Sequence, residues 1–178
     1  YDFSLPISDN ITLTAVWTKN HYTVVFDSNN ASGSMGIQNF TYDASQALTE
    51  NTFTKTGYSF AGWSEDKNVS EATYEDCQSV NNLTSTAGGT VTLYAVWKAN
   101  TYSVSYDSNG GSGDIGTGTA TYDSEFTLNS GESFTRLGYN LTAWNTKADG
   151  LGASYSLSYK FEHWILTDNL TLYAQWTA

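Results

Sequence analysis

The stretch ITLTAVW at residues 11–17 returns as VTLYAVW at 91–97 and again as LTLYAQW at 170–176. The tryptophans that close it, Trp17, Trp97 and Trp176, are 80 and 79 residues apart. Self-similarity at a fixed period means that one unit folds more than once along the chain. Other landmarks keep the same period. YTVVFDSNN at 22–30 matches YSVSYDSNG at 102–110, and TYD at 41–43 matches TYD at 121–123. FTKTGYSFAGW at 53–63 matches FTRLGYNLTAW at 134–144, and Tyr74 falls opposite Tyr155.

The repeats divide the chain. Residues 1–17 read as the tail of a truncated upstream repeat, 18–21 as a linker and 22–97 as the first full repeat. A second linker, 98–101, precedes the second repeat at 102–178. Neither linker is glycine-rich, so neither is expected to act as a free tether.

Within a unit the opening segment alternates. Tyr22, Val24 and Phe26 share one face of a strand, and Thr23 and Val25 share the other. Asp27-Ser28-Asn29 then reads as a turn. A second strand is expected through Phe40-Thr41-Tyr42, or Ala120-Thr121-Tyr122 in the second unit. A short helix or turn is expected at 49–56, and a third strand from Tyr58 or Tyr139. In the closing strand Leu13, Leu93 and Leu172 are identical, as are Ala15, Ala95 and Ala174, while the residues between them vary. A face that repeats while its neighbour drifts is a core face, because volume changes in a packed core are costly. Gly62 suggests a bulge, but Ala143 at the matching position argues that close packing, not positive φ, is the requirement.

These linked motifs resemble the Listeria–Bacteroides repeat family, the internalin B-type B repeats. The motifs are FDSNN or YDSNG, GYSFAGW or GYNLTAW, and LYAVW or LYAQW. The second unit departs from the pattern at Leu141 and Ala143. The resemblance implies an α+β, mostly β fold: tandem small β-grasp units of the ubiquitin or SUMO kind. It also implies a secreted or surface-anchored bacterial protein.

Composition narrows the function. The formal net charge of -11 repels phosphate backbones and anionic lipid, so nucleic acid is an unsuitable partner. No apolar run is long enough to insert in a membrane as a helix. Aromatics at 15% are too abundant for a disordered chain. A single cysteine, Cys77, excludes an intrachain disulfide and a cysteine-built zinc cluster.

No catalytic, cofactor-binding or metal-binding set emerges. Glu65-Asp66 and Glu75-Asp76 are adjacent residues that a strand would point to opposite faces, which does not suit a general acid/base pair. The loop Asp107–Asp114 has too few carboxylates for calcium and reads as a turn. Cys77 has no basic neighbour in sequence to activate it. The repeated aromatics Trp63, Trp97, Trp144, Trp176, Tyr58 and Tyr139 are expected in cores and unit junctions. The unrepeated Trp164 is the candidate for an exposed contact.

The expected role is a non-catalytic spacer or stalk that presents other domains of the same bacterial cell-surface protein. The alternative is an adhesin-type module binding a host protein or glycan through Trp164 or the 64–85 segment.

Overall fold

The computed structural model describes Asn10 and residues 12–178. The first unit opens on β1 (His21–Asp27), in which Tyr22, Val24 and Phe26 are buried in alternation with more exposed neighbours. Then come β2 (Gln38–Thr41), β3 (Gln46–Ala47), β4 (Tyr58–Ser64), β5 (Ser79–Val80) and β6 (Thr90–Ala99). The main sheet runs in the order β2-β1-β6-β4. Its centre is parallel: Val24 lies beside Val91 and Phe26 beside Leu93, so the first and last strands bury one apolar face together. The flanking pairs are antiparallel, and β3 with β5 makes a small separate ladder.

The second unit repeats this plan with β7 (Thr101–Asp107), β8 (Gly118–Thr121), β9 (Phe126–Thr127), β10 (Asn140–Asn145), β11 (Ser154–Tyr155), β12 (Lys160–Phe161) and β13 (Leu170–Thr177). Its main sheet has the order β11-β10-β13-β7-β8, again with a parallel pair at the centre, β7 and β13.

The repeated closing face is a core face. Leu93, Ala95, Leu172 and Ala174 are fully buried, and the invariant Trp63 and Trp144 lie at the centre of the two cores. Tyr74 and Tyr155 pair across from those tryptophans, as their spacing suggests. Trp97 and Trp176 are half-buried. Each indole N–H donates to the carbonyl of the opening turn, Ser28 at 3.0 Å and Ser108 at 2.9 Å, and so ties the last strand to the first.

Two expectations need correction. Among the described residues there is no helix, so the units are all-β and not α+β. The segment 49–56 is irregular, with a bridge at Thr54 and a turn that begins at Thr56. The Asn51 side chain accepts from the Phe53 amide at 2.9 Å, and Thr54 exchanges backbone bonds with Ser32. Ser, Thr and Asn side chains offer the backbone such local partners, and eight residues are too few to repay helix nucleation.

Gly62 does adopt positive φ, at 135°, inside a β-bulge between Phe60 and Gly62. A side chain there would overlap the carbonyl of Tyr74. The second unit keeps the bulge between Leu141 and Ala143, with Ala143 in ordinary backbone conformation.

Within the linker 98–101, Lys98 and Ala99 continue β6 against Ser59 and Tyr58, leaving Asn100 alone between β6 and β7.

The described part of the leading tail, residues 12–17, carries no strand and is exposed; residues 1–9 and 11 lie outside the described residues. Leu13, buried at its equivalents, is 65% exposed here. The closing motif has no core without the rest of its unit.

Candidate functional site

The places where chemistry was sought are occupied by structural work. Glu65 accepts the Tyr74 hydroxyl at 2.8 Å, and burial together with this bond pushes the Tyr74 pKa up to about 12. Asp66 accepts from the Asn68 amide at 2.9 Å. Asp107 accepts from the Asn109 amide at 2.7 Å, and Asn109 in turn donates to the carbonyls of Ala174 and Ala148. Asp27 and Asn29 repeat this arrangement, so both loops are stitched turns. Among the described residues no group of three His, Cys, Asp or Glu side chains is placed to hold a metal ion. Cys77 is exposed, and its thiol pKa is raised by local desolvation and by the carboxylates of Asp76 and Glu50, the opposite of activation.

Trp164 is not a surface contact. It is fully buried, with Phe126 and Phe161 packed edge-on at centroid distances of 5.3 and 4.9 Å. Its backbone also exchanges bonds with Asp123 and Ser124. The β3–β5 and β12–β9 ladders place Val80 opposite Gln46 and Phe161 opposite Phe126, so Trp164 occupies the position of Leu83. A residue can fail to repeat because its core is packed differently, and that is the case here.

A constellation of side chains from both units lies at the joint between them. Asn100 is its pivot. Its amide donates to the Gly57 carbonyl at 2.9 Å, and its carbonyl accepts from the Tyr122 amide at 2.9 Å. Its side-chain oxygen accepts from the Ser59 hydroxyl at 2.6 Å. Gly57, at φ 76°, is buried beneath the ring of Tyr122, and a Cβ at that position would overlap the ring. Tyr58 packs edge-on to Tyr122 with centroids 5.5 Å apart.

The Tyr58 hydroxyl reaches Asp123 at 3.4 Å, while the other carboxylate oxygen of Asp123 lies 3.0 Å from His163 Nδ1. Partial burial and the nearby Asp123 charge raise the Tyr58 pKa. Lys55 sits over the Tyr58 ring at 4.3 Å. The set Tyr–Asp–His is exposed at its acidic and imidazole ends, with Tyr58 from the first unit and Asp123 and His163 from the second. Its geometry fastens two bodies together.

Sequence reasoning placed Tyr58 at a junction but missed Gly57, Asn100, Tyr122 and Asp123 as its other members. The signal was present in the repeated GY and TYD motifs, which lie apart in sequence and meet only through the neighbouring unit.

The model of the Listeria-Bacteroides repeat domain matches residues 22–96 and 102–175. Two proteins of Evansella cellulosilytica are similar. A candidate membrane protein is 33% identical over 97% of this chain and 24% of its own length. A candidate Gly-rich membrane protein is 35% identical over 71% of this chain and 15% of its own length. The chain thus spans a quarter or less of the curated relatives it matches. No solved structure matches. Two tandem matches that cover most of the chain show that it belongs to the Listeria–Bacteroides repeat family.

Proposed function

We propose that the chain is a non-catalytic spacer segment of a bacterial cell-surface protein, with each unit adding roughly 30 Å of reach. The observation that carries this reading is the joint itself. One residue separates the last strand of one unit from the first strand of the next, and Asn100 binds both bodies through its own backbone. Such a joint transmits direction along the chain. Each unit's mixed sheet, parallel at its centre, supports reading it as a β-grasp sheet that has lost its helix. An extracellular setting suits a chain with few charged residues that draws its polarity from Ser, Thr and Asn. Its partners in this reading are the other domains of the same protein.

Solution scattering tests the proposal. The maximum dimension should be about twice one unit's diameter, and inserting several Gly-Ser residues after Ala99 should broaden the distance distribution while both units stay folded. A particle no longer than one unit and a half would overturn it.

An adhesin role draws support from one feature, an open recess of about 550 Å³ bounded by Ala61 and, from the 64–85 segment, Glu71–Glu75 and Gln78. Retention on a glycan array, abolished by Tyr74→Ala, would favour that reading.

A further inference from the structure

The joint between the units has two halves, and the chain carries each half twice. The receiving half is the turn Lys55–Tyr58, repeated as Arg136–Tyr139. The inserting half is the Tyr122–Asp123 turn, repeated as Tyr42–Asp43. Where the halves meet, Gly57 is buried and Tyr58 is partly covered. At the second unit's turn, Gly138 has the same backbone conformation, φ 80°, but a Cβ built on it meets nothing within 4 Å. Tyr139 is 42% exposed and Leu137 fully so. Arg136 lies over the Tyr139 ring at 4.2 Å, as Lys55 lies over Tyr58. The turn is therefore formed before anything covers it.

The inserting half of the first unit is equally prepared. The Tyr42 amide donates to the Asn20 carbonyl at 2.8 Å, as Tyr122 does to Asn100. Beside it lies a recess of about 350 Å³ bounded by Trp17–Asn20, Tyr42 and Asp43. Asn82 holds Asp43 at 2.9 Å, as His163 holds Asp123.

We propose that the Arg136–Tyr139 turn is a docking surface for the Tyr-Asp turn of a further repeat of this kind, joined after Ala178 through an asparagine. The occupant follows from continuity with the joint already formed. A tyrosine ring would lie on Gly138, and a carboxylate would meet the Tyr139 hydroxyl close to the Arg136 guanidinium. Opposite charges meet on the two halves, and the missing Cβ is the seat of the ring. The inference concerns how units are fastened. It stands whether the array is a spacer or a binding surface.

The test appends a second copy of residues 100–178 to Ala178, which restores the Trp-x-x-Asn spacing seen at Trp97–Asn100. Nitroxide labels are placed at Leu151 and at its duplicate, with Cys77 replaced by Ser, and the distance distribution is measured by electron–electron double resonance. A single narrow distance is expected. Gly138→Ala should broaden it at least twofold, and so should Tyr139→Ala, which removes an exposed ring and leaves the fold of its own unit intact. An equally broad distribution with and without these substitutions would overturn the proposal, as would a narrow one that neither substitution changes. Glycan binding by the array, which would count against the spacer reading, would leave the expected width unchanged.

Discussion

The two units share a strand order and a repeated core face, yet they fill their interiors with different residues. The first unit buries Phe40 on Tyr22, with ring centroids 5.4 Å apart, and keeps Leu83 nearby. The second has Ala120 at the Phe40 position and Trp164 at the Leu83 position, both fully buried. Aromatic bulk has moved from the sheet to the loop that follows β12. Total volume and polarity pattern decide whether such a core closes, and the identity of each residue is negotiable within that sum.

Polar burial differs in the same way. The second unit's Asn145 is wholly buried and makes contacts with Gly150, Gly152, Ser154 and Lys147 that shape the 146–154 loop. Ser64, at the same place in the first unit, accepts only from Asp66. The Trp144 indole donates to the Asn129 carbonyl at 2.8 Å, whereas the Trp63 indole N–H has no acceptor among the described residues. The segment from Leu48 to Phe53 is one residue shorter than that from Leu128 to Phe134, and the carbonyl that serves Trp144 lies in that segment.

The largest expected effect tests whether bulk has been exchanged. Trp164→Ala should destabilise the second unit by about 3–5 kcal/mol in chemical denaturation and leave the first unit's transition in place. Pairing Ala120→Phe with Trp164→Leu should cost clearly less than Trp164→Leu alone. Additive costs would show that the two positions do not share a core volume. Next come the shared positions, where the units should behave alike. Leu93→Ala and Leu172→Ala should each lower the stability of their own unit by about 2–5 kcal/mol, and a loss below about 0.5 kcal/mol in either would refute the common core face.

The polar asymmetry sets a smaller effect. Asn145→Ala should cost about 2–3 kcal/mol, since the Lys147 and Gly152 amides lose the acceptor that shapes the 146–154 loop, while Ser64→Ala should cost about 1 kcal/mol. Equal losses would remove the distinction.

Alkali should reach the first unit through Tyr74. Its folded pKa, about 12, lies above the ordinary value of 10, so the stability it contributes is full below pH 10 and falls as pH rises through 12. Tyr74→Phe should abolish that step in a pH series of thermal melts. The smallest effect belongs to the exposed Lys160, which bridges Glu125 at 2.9 Å and Glu162 at 3.1 Å. Lys160→Ala should leave the second unit's denaturation midpoint almost unchanged, and the difference should shrink further at high salt.

Much of this architecture was legible because the chain contains its own comparison. Periodicity located the two units, alternation identified the buried faces of β1 and β6, and the constancy of Leu and Ala in the closing strand marked the core. Those signals are local, and the strand period of two expresses them directly. Of the helix or turn expected at 49–56 no helix forms, because the Asn51 side chain bonds to the backbone of its own segment. Trp164 is buried although it does not repeat, and nothing local distinguishes a solvent-facing tryptophan from one that fills a gap left by a smaller residue elsewhere.

Sequence by itself determined the repeat, its length, its strand faces and the absence of paired-cysteine chemistry, since each of these depends on residue type and spacing alone. Tertiary structure decided which strands lie side by side, how the two cores divide their bulk, and the meaning of the GY and TYD motifs. The last of these rests on a contact about 65 residues apart in sequence, Tyr58 to Asp123. Gly57 lacks a Cβ because a ring from the next unit occupies the space, and a single unit's sequence contains no trace of the neighbour that imposes it.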